Sequence, residues 1–147
     1  MYVIPPFDPV TGRLPPGEHE APWEEVVERF GWNEHRRGLL DGLADGLSSL
    51  AEAGCNRAWL NGSFVTDKEL PADFDVCWDP AGVDLDRLDP VLLDMSYGRA
   101  AQKQRFRGEF LPNVTEAASG LAFADFFQND RETGRKGIVV LRLEGQP

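Results

Sequence analysis

Cysteine and histidine are scarce in this chain, with two of each. They are scattered and form no metal-ligand spacing, so a zinc site of the usual kind is not expected. Cys55 and Cys77 are read as reduced thiols. Positive charge is also short: 15 Lys and Arg stand against 25 Asp and Glu, for a net charge of −10. That balance argues against a general nucleic-acid coat protein, although it leaves room for a local basic patch. No apolar run is long enough to cross a membrane, and Met-Tyr-Val-Ile-Pro-Pro at the start carries no charged leader. No signal peptide and no membrane span are therefore expected, and the cytoplasm is the default compartment. The Asn61-Gly62-Ser63 and Asn113-Val114-Thr115 acceptor patterns carry no weight without secretion. There is no internal repeat and no low-complexity tract.

What is present suits a globular fold. Four Trp and nine Phe among 147 residues can build a core, and the length fits a single domain, 1–147. Residues 1–21 hold five of the eleven prolines and read as an extended, wrapping arm anchored by Phe7 and Leu14. Pro22 fits the first turn of a short helix that stops near Gly31, with Glu24 and Glu25 at its positive end. Asn33 caps a longer helix running to about Ala53. Leu39, Leu40, Leu43, Leu47 and Leu50 form its apolar stripe, and Arg36, Arg37, Asp41, Asp45 and Glu52 its wet face. Gly54 suits the stop. Strands are expected at Asn56–Leu60, Asp73–Trp78, Glu109–Leu111 and Gly137–Leu143. Helices are expected at Leu88–Leu93, Ser96–Arg105 and Glu116–Gln128.

The densest information lies in residues 61–76. Asn61-Gly62-Ser63 is followed by nine residues and then by Asp73-Phe74-Asp75-Val76. Side chains alternate along a strand, so Asp73 and Asp75 face one way and Phe74 and Val76 the other. Two carboxylates held that close repel unless a cation or proton lies between them. A hard divalent ion such as Mg²⁺ suits an all-oxygen site. The Gly-Ser turn offers backbone N–H groups and a hydroxyl to a phosphate. On this reading the stretch is a site for a metal–nucleoside triphosphate. As an isolated pattern, acid–x–acid would more simply be a pair of solvated strand acids.

The same stretch resembles the signature of the nucleotidyltransferase superfamily typified by DNA polymerase beta, and most closely its small stand-alone bacterial and phage members. Some of those belong to toxin–antitoxin or phage-defence operons. The motif covers residues 55–78. The string from Gly62 to Pro71, the arm Leu14-Pro15-Pro16-Gly17-Glu18-His19 and Phe126-Phe127-Gln128 are similar to a subfamily of these. The resemblance implies an α+β fold, a small mixed, twisted sheet packed with helices. It implies transfer of a nucleotide from an NTP to an RNA (tRNA among them), protein or small-molecule acceptor, with release of pyrophosphate. It further implies two Mg²⁺ ions held by Asp73 and Asp75, with Gly62 and Ser63 against the phosphates.

The third carboxylate that the resemblance calls for is assigned to Glu109, with Asp125 as its rival. Arg99, Lys103 and Arg107 recur at four-residue steps and would share a helix face able to meet a triphosphate or RNA. Lys103 is the one carried forward as nucleotide-binding, together with Lys68 in the loop between turn and acids. Arg99 and Arg105 read more simply as solvated. His19 and His35 read as cap or surface residues. The loose pairs Arg13/His19 and Arg29/His35 are each broken by Pro or Gly and are read as chance, so the chain is not expected to be a ribonuclease toxin. Phe123, Phe126 and Phe127 read as core, with one of the last two free to meet the arm or a partner. Three functions follow from this reading: an active transferase, a silent antitoxin or partner-binding module, and a nucleotide sensor.

Overall fold

A leucine stripe organises the molecule. The computed structural model describes residues 4–114, 128–130 and 134–143. Leu39, Leu40, Leu43, Leu47 and Leu50 are all buried on α2 (Glu34–Glu52), as their spacing predicts. Asn33 caps this helix by accepting a hydrogen bond from the Arg36 amide at 2.7 Å. The shorter α1 (Trp23–Phe30) precedes it and ends at Gly31. Helix α2 lies very close to its neighbours. A side chain at Gly42 would overlap the Phe106 carbonyl, and one at Gly46 would enter the Phe110 ring.

The strands are β1 (Gly17–Glu20), β2 (Arg57–Asn61), β3 (Phe74–Trp78), β4 (Gly108–Pro112), β5 (Asn129–Asp130), β6 (Gly134–Arg135) and β7 (Gly137–Arg142). Five of them form a mixed sheet in the order β1-β7-β2-β3-β4, and β5 pairs with β6 separately. The β1–β7 and β3–β4 pairs are parallel, whereas β2 is antiparallel to both β3 and β7. This is an α+β fold. Helix α3 (Ser96–Phe106) joins β3 to β4 after two short 3-10 turns, Leu85–Arg87 and Pro90–Leu93.

Each strand divides its residues between the two faces. Ala58, Leu60, Phe74, Val76, Trp78, Phe110, Val139 and Leu141 join the main core, which also holds the α2 leucines. Trp59, Cys77, Ile138 and Val140 form a second apolar cluster on the other face. Cys55 and Cys77 are both free and buried.

Four expectations need correction. The N-terminal arm is not simply a wrap: residues 17–20 are a sheet strand, with Gly17 opposite Gly137 and Glu20 opposite Val140. Phe7 packs against the core and Leu14 is buried within it, as expected. Arg36 is not on the wet face. It is fully buried, whereas Arg37, Asp41, Asp45 and Glu52 are exposed. The helix over Ser96–Arg105 is not regular, because Tyr97, Gly98 and Arg99 have φ of 53, 63 and 64°. Right-handed turns therefore begin only after Arg99, and Arg107 closes the helix at φ 69°. As a result, Arg99, Lys103 and Arg107 do not share one unbroken helical face, and the Arg107 guanidinium lies instead against Gly38 of α2. The expected helix over Glu116–Gln128, with Phe123, Asp125, Phe126 and Phe127, lies outside the described residues except for Gln128, which is in a turn.

Candidate functional site

Two carboxylates meet at one end of the sheet, on the face opposite α2. Asp75 sits in β3 beside Glu109 of β4, its register partner in the parallel pair. Asp73 stands two residues before Asp75, so both point to that face. The three acids sense one another. Asp75 shares a side-chain hydrogen bond with Glu109 and is repelled by both Glu109 and Asp73. Burial pushes the Asp75 carboxyl up to about 8, reinforced by that bond and that repulsion. Burial and the Glu109 charge also raise Asp73, against the pull of Lys103 and Lys68. Burial would raise Glu109 too, but the bond from Asp75 and the cations Arg99 and Lys103 outweigh it and hold Glu109 below the usual glutamate range. Burial thus favours a protonated Asp75, and the cations beside Glu109 favour its charged form.

Two cations flank Glu109. Arg99 Nε donates to Glu109 Oε1 at 2.8 Å, and Lys103 Nζ lies 3.6 Å from the same oxygen. The expectation that Arg99 is merely solvated is therefore corrected, since the left-handed kink swings it onto the acid. Arg105 does lie away from this cluster, 3.3 Å from Asp89.

The Gly-Ser turn borders the same end of the sheet. Gly62 has φ 87°, a left-handed value open to glycine, and a Cβ there would stand 2.5 Å from Asp75 Oδ2. The missing side chain thus lets the turn approach the acid. Ser63 begins a 3-10 turn, Ser63–Val65. Gly62 and Ser63 line a pocket of about 230 Å³ together with Arg13, Thr66, Asp67, Lys68 and Lys136. Three cations around a small-residue turn make a basin suited to phosphate oxygens. Arg13 and Lys136 are the cations of this pocket that the sequence did not assign to the site. They arrive from the arm and from the segment before β7, far from the motif in sequence.

The site loop is fixed from beneath by Arg36. Its Nη1 donates to the carbonyls of Phe30 at 3.0 Å and Phe64 at 2.7 Å. Its Nη2 donates to Thr66 at 2.8 Å and Lys68 at 2.7 Å, and Nε reaches Lys68 at 3.1 Å. The guanidinium also stacks on the Trp32 ring, 3.7 Å from its centroid. Burial lowers its pKa to about 10, opposed by Glu69 and Asp67, so it remains charged at neutral pH. The histidines are structural. The His19 ring donates to the Pro15 carbonyl and the His35 ring to that of Pro71, each at 2.6 Å.

The donor set suits a hard cation, since it consists of carboxylate oxygens that now hold a proton where a metal would relieve the same repulsion. Among the described residues, no three His, Cys, Asp or Glu side chains converge into a ready-made metal site. Glu109 is turned toward Arg99 and Lys103 and would have to be drawn from them. Among the described residues, no helix is long and apolar enough to cross a membrane.

The shared proton has a consequence for stability. The unfolded Asp75 ionises near its ordinary value of about 3.9, whereas the folded carboxyl holds its proton to about 8. Between those values the unfolded chain binds fewer protons at this site, so its contribution to stability falls as pH rises. Asp75→Asn is expected to gain stability relative to wild type as pH increases from 4 to 8 in the presence of a chelator. Melting temperatures of the two proteins across that range check it, and a constant difference would contradict it.

Fold and site together define an α+β protein with an acidic cluster and a cationic pocket joined by a glycine turn. The chain belongs to DUF6932, described as a family of unknown function, whose model matches residues 5–142. Comparison with curated proteins and with solved structures gave no match.

Proposed function

We propose that the chain is a magnesium-dependent nucleotidyltransferase, acting from an NTP on a hydroxyl or phosphate of an RNA, protein or small-molecule acceptor. The observation that carries this reading is the juxtaposition at Gly62, where the turn that borders the three-cation pocket abuts Asp75. Asp73, Asp75 and Glu109 would hold two Mg²⁺ ions. Such ions would supply charge neutralisation at the triphosphate and activation of the acceptor oxygen. Ser63, the turn amides, Lys68, Arg13 and Lys136 orient the phosphates, and Lys103 and Arg99 balance charge beside Glu109. This assignment agrees with the motif's resemblance to the DNA polymerase beta superfamily, including its members in toxin–antitoxin and phage-defence systems.

A second reading has its own support. Glu109 is bonded to Arg99 and Asp75 rather than open to a metal. A silent module that binds a basic partner, such as a cognate toxin, would have that arrangement. The test is incubation of the purified protein with Mg²⁺ and each labelled NTP over pooled RNA, proteins and small molecules. Labelled acceptor together with pyrophosphate supports transfer. NTP binding by calorimetry without any product supports the silent module or a nucleotide sensor.

A further inference from the structure

One polar atom beside the carboxylates has no partner. Asn61 is 3% exposed, and its Oδ1 is buried without a hydrogen bond. Leaving such an acceptor unsatisfied is destabilising. Among the described residues one other buried side-chain atom is in this condition, Trp78 Nε1. Trp78 belongs to the main apolar core, on the other face of the sheet.

The surroundings of Asn61 are different. It ends β2 directly before Gly62, and its register partner across the antiparallel pair is Asp75. Trp59 and Cys77, each two residues away along its strand, pack together on the face opposite the helices. Alternation therefore puts Asn61 and Asp75 on that face, side by side. Directly opposed residues have Cβ atoms about 4.5–5.5 Å apart. Asn61 thus brings an idle acceptor to the strand position beside Asp75, where a hydrated cation would offer strongly polarised O–H donors.

We propose that Asn61 is a binding residue of this site, its side-chain carbonyl accepting a hydrogen bond from the water shell of a divalent ion held by Asp73 and Asp75. The inference rests on the metal reading given above. It adds a neutral acceptor that orients the ion's water and is left unsatisfied when no ion is bound. The ion's water is favoured over a nucleotide group because the register partner of Asn61 is Asp75, itself a candidate ligand of the ion. Outer-shell partners of this kind are worth about 10–100-fold in metal affinity.

The test uses two substitutions and two measurements on the full chain. Asn61→Leu removes the idle acceptor with little change in size. Its melting temperature in chelator is expected to exceed that of wild type, while its affinity for Mn²⁺ alone falls about 10-fold or more. Asn61→Asp keeps an oxygen acceptor and adds charge. It is expected to melt lower in chelator and to bind Mn²⁺ at least as tightly as wild type. A purely packing role would move stability and affinity in the same direction. Wild-type binding of Mn²⁺ with unchanged affinity in Asn61→Leu overturns the inference and leaves the metal reading standing. Weakened binding of an NTP analogue alone, with Mn²⁺ affinity intact, also overturns it. No Mn²⁺ binding by wild type overturns the metal reading, and this inference with it.

Discussion

With Asp73→Asn and Asp75→Asn combined, magnesium-dependent transfer from an NTP is expected to fall by about 10³-fold or more, while the fold persists. The first part follows from the site chemistry. A pair of carboxylates that organises divalent ions around a triphosphate supplies several kcal/mol of transition-state stabilisation, and each 1.36 kcal/mol is about tenfold in rate. Neutral amides keep the size and lose the charge. The second part follows from the apo electrostatics. Asp75 is half-buried, repelled by two acids and relieved by its bond to Glu109 and by the charge of Lys136. An amide at that position can still donate to Glu109, so stability is expected to be retained or raised. Rate measurements with labelled NTP, beside a melting curve of the same preparation, check both parts. Equal rates for the two proteins would remove these acids from the chemistry.

Arg36→Met is expected to lower stability by about 3–5 kcal/mol, a loss comparable to breaking a buried charged network. All five N–H donors of the guanidinium are used, on the carbonyls of Phe30, Phe64, Thr66 and Lys68. Removing the group leaves those buried carbonyls without their donor. For a domain of this length the melting temperature should drop by roughly 10 °C or more. Arg36→Lys should recover little, because three donors on a flexible stem cannot replace a planar fork. Since three of the four carbonyls belong to the segment following the Gly62 turn, NTP affinity should fall along with stability. Thermal melts and calorimetry on the three proteins measure this. A lysine variant matching wild type would show that the fork is not needed.

Arg36 also marks the limit of reading the sequence. It lies three and four residues before Leu39 and Leu40, on the line of the apolar stripe, and its position was the available clue to burial. Charge alone suggested water. What overrides charge is a ring of loop carbonyls from distant residues, which no local pattern encodes. The acid pair and Glu109 are readable because strand alternation and a short strand after a helix are local signals, and the parallel register sets Asp75 beside Glu109. Lys103 was assigned to the site and lies beside Glu109, but the helix face invoked for it is interrupted. Three consecutive left-handed residues, two of them Tyr97 and Arg99, contradict ordinary backbone preference and could not be anticipated. The pairing of β1 with β7 ties residues 17–20 into the sheet, where proline content alone suggested an extended, wrapping arm.

The central claim is that the Gly62 turn and the twin aspartates form one site that bridges metal and triphosphate. Crystals soaked with Mn²⁺ and a non-hydrolysable NTP test it directly through the anomalous signal of the metal. The account predicts manganese on the carboxylates of Asp73 and Asp75, with phosphate oxygens against Gly62 and Ser63. Manganese elsewhere, or a triphosphate bound away from that turn, would contradict it.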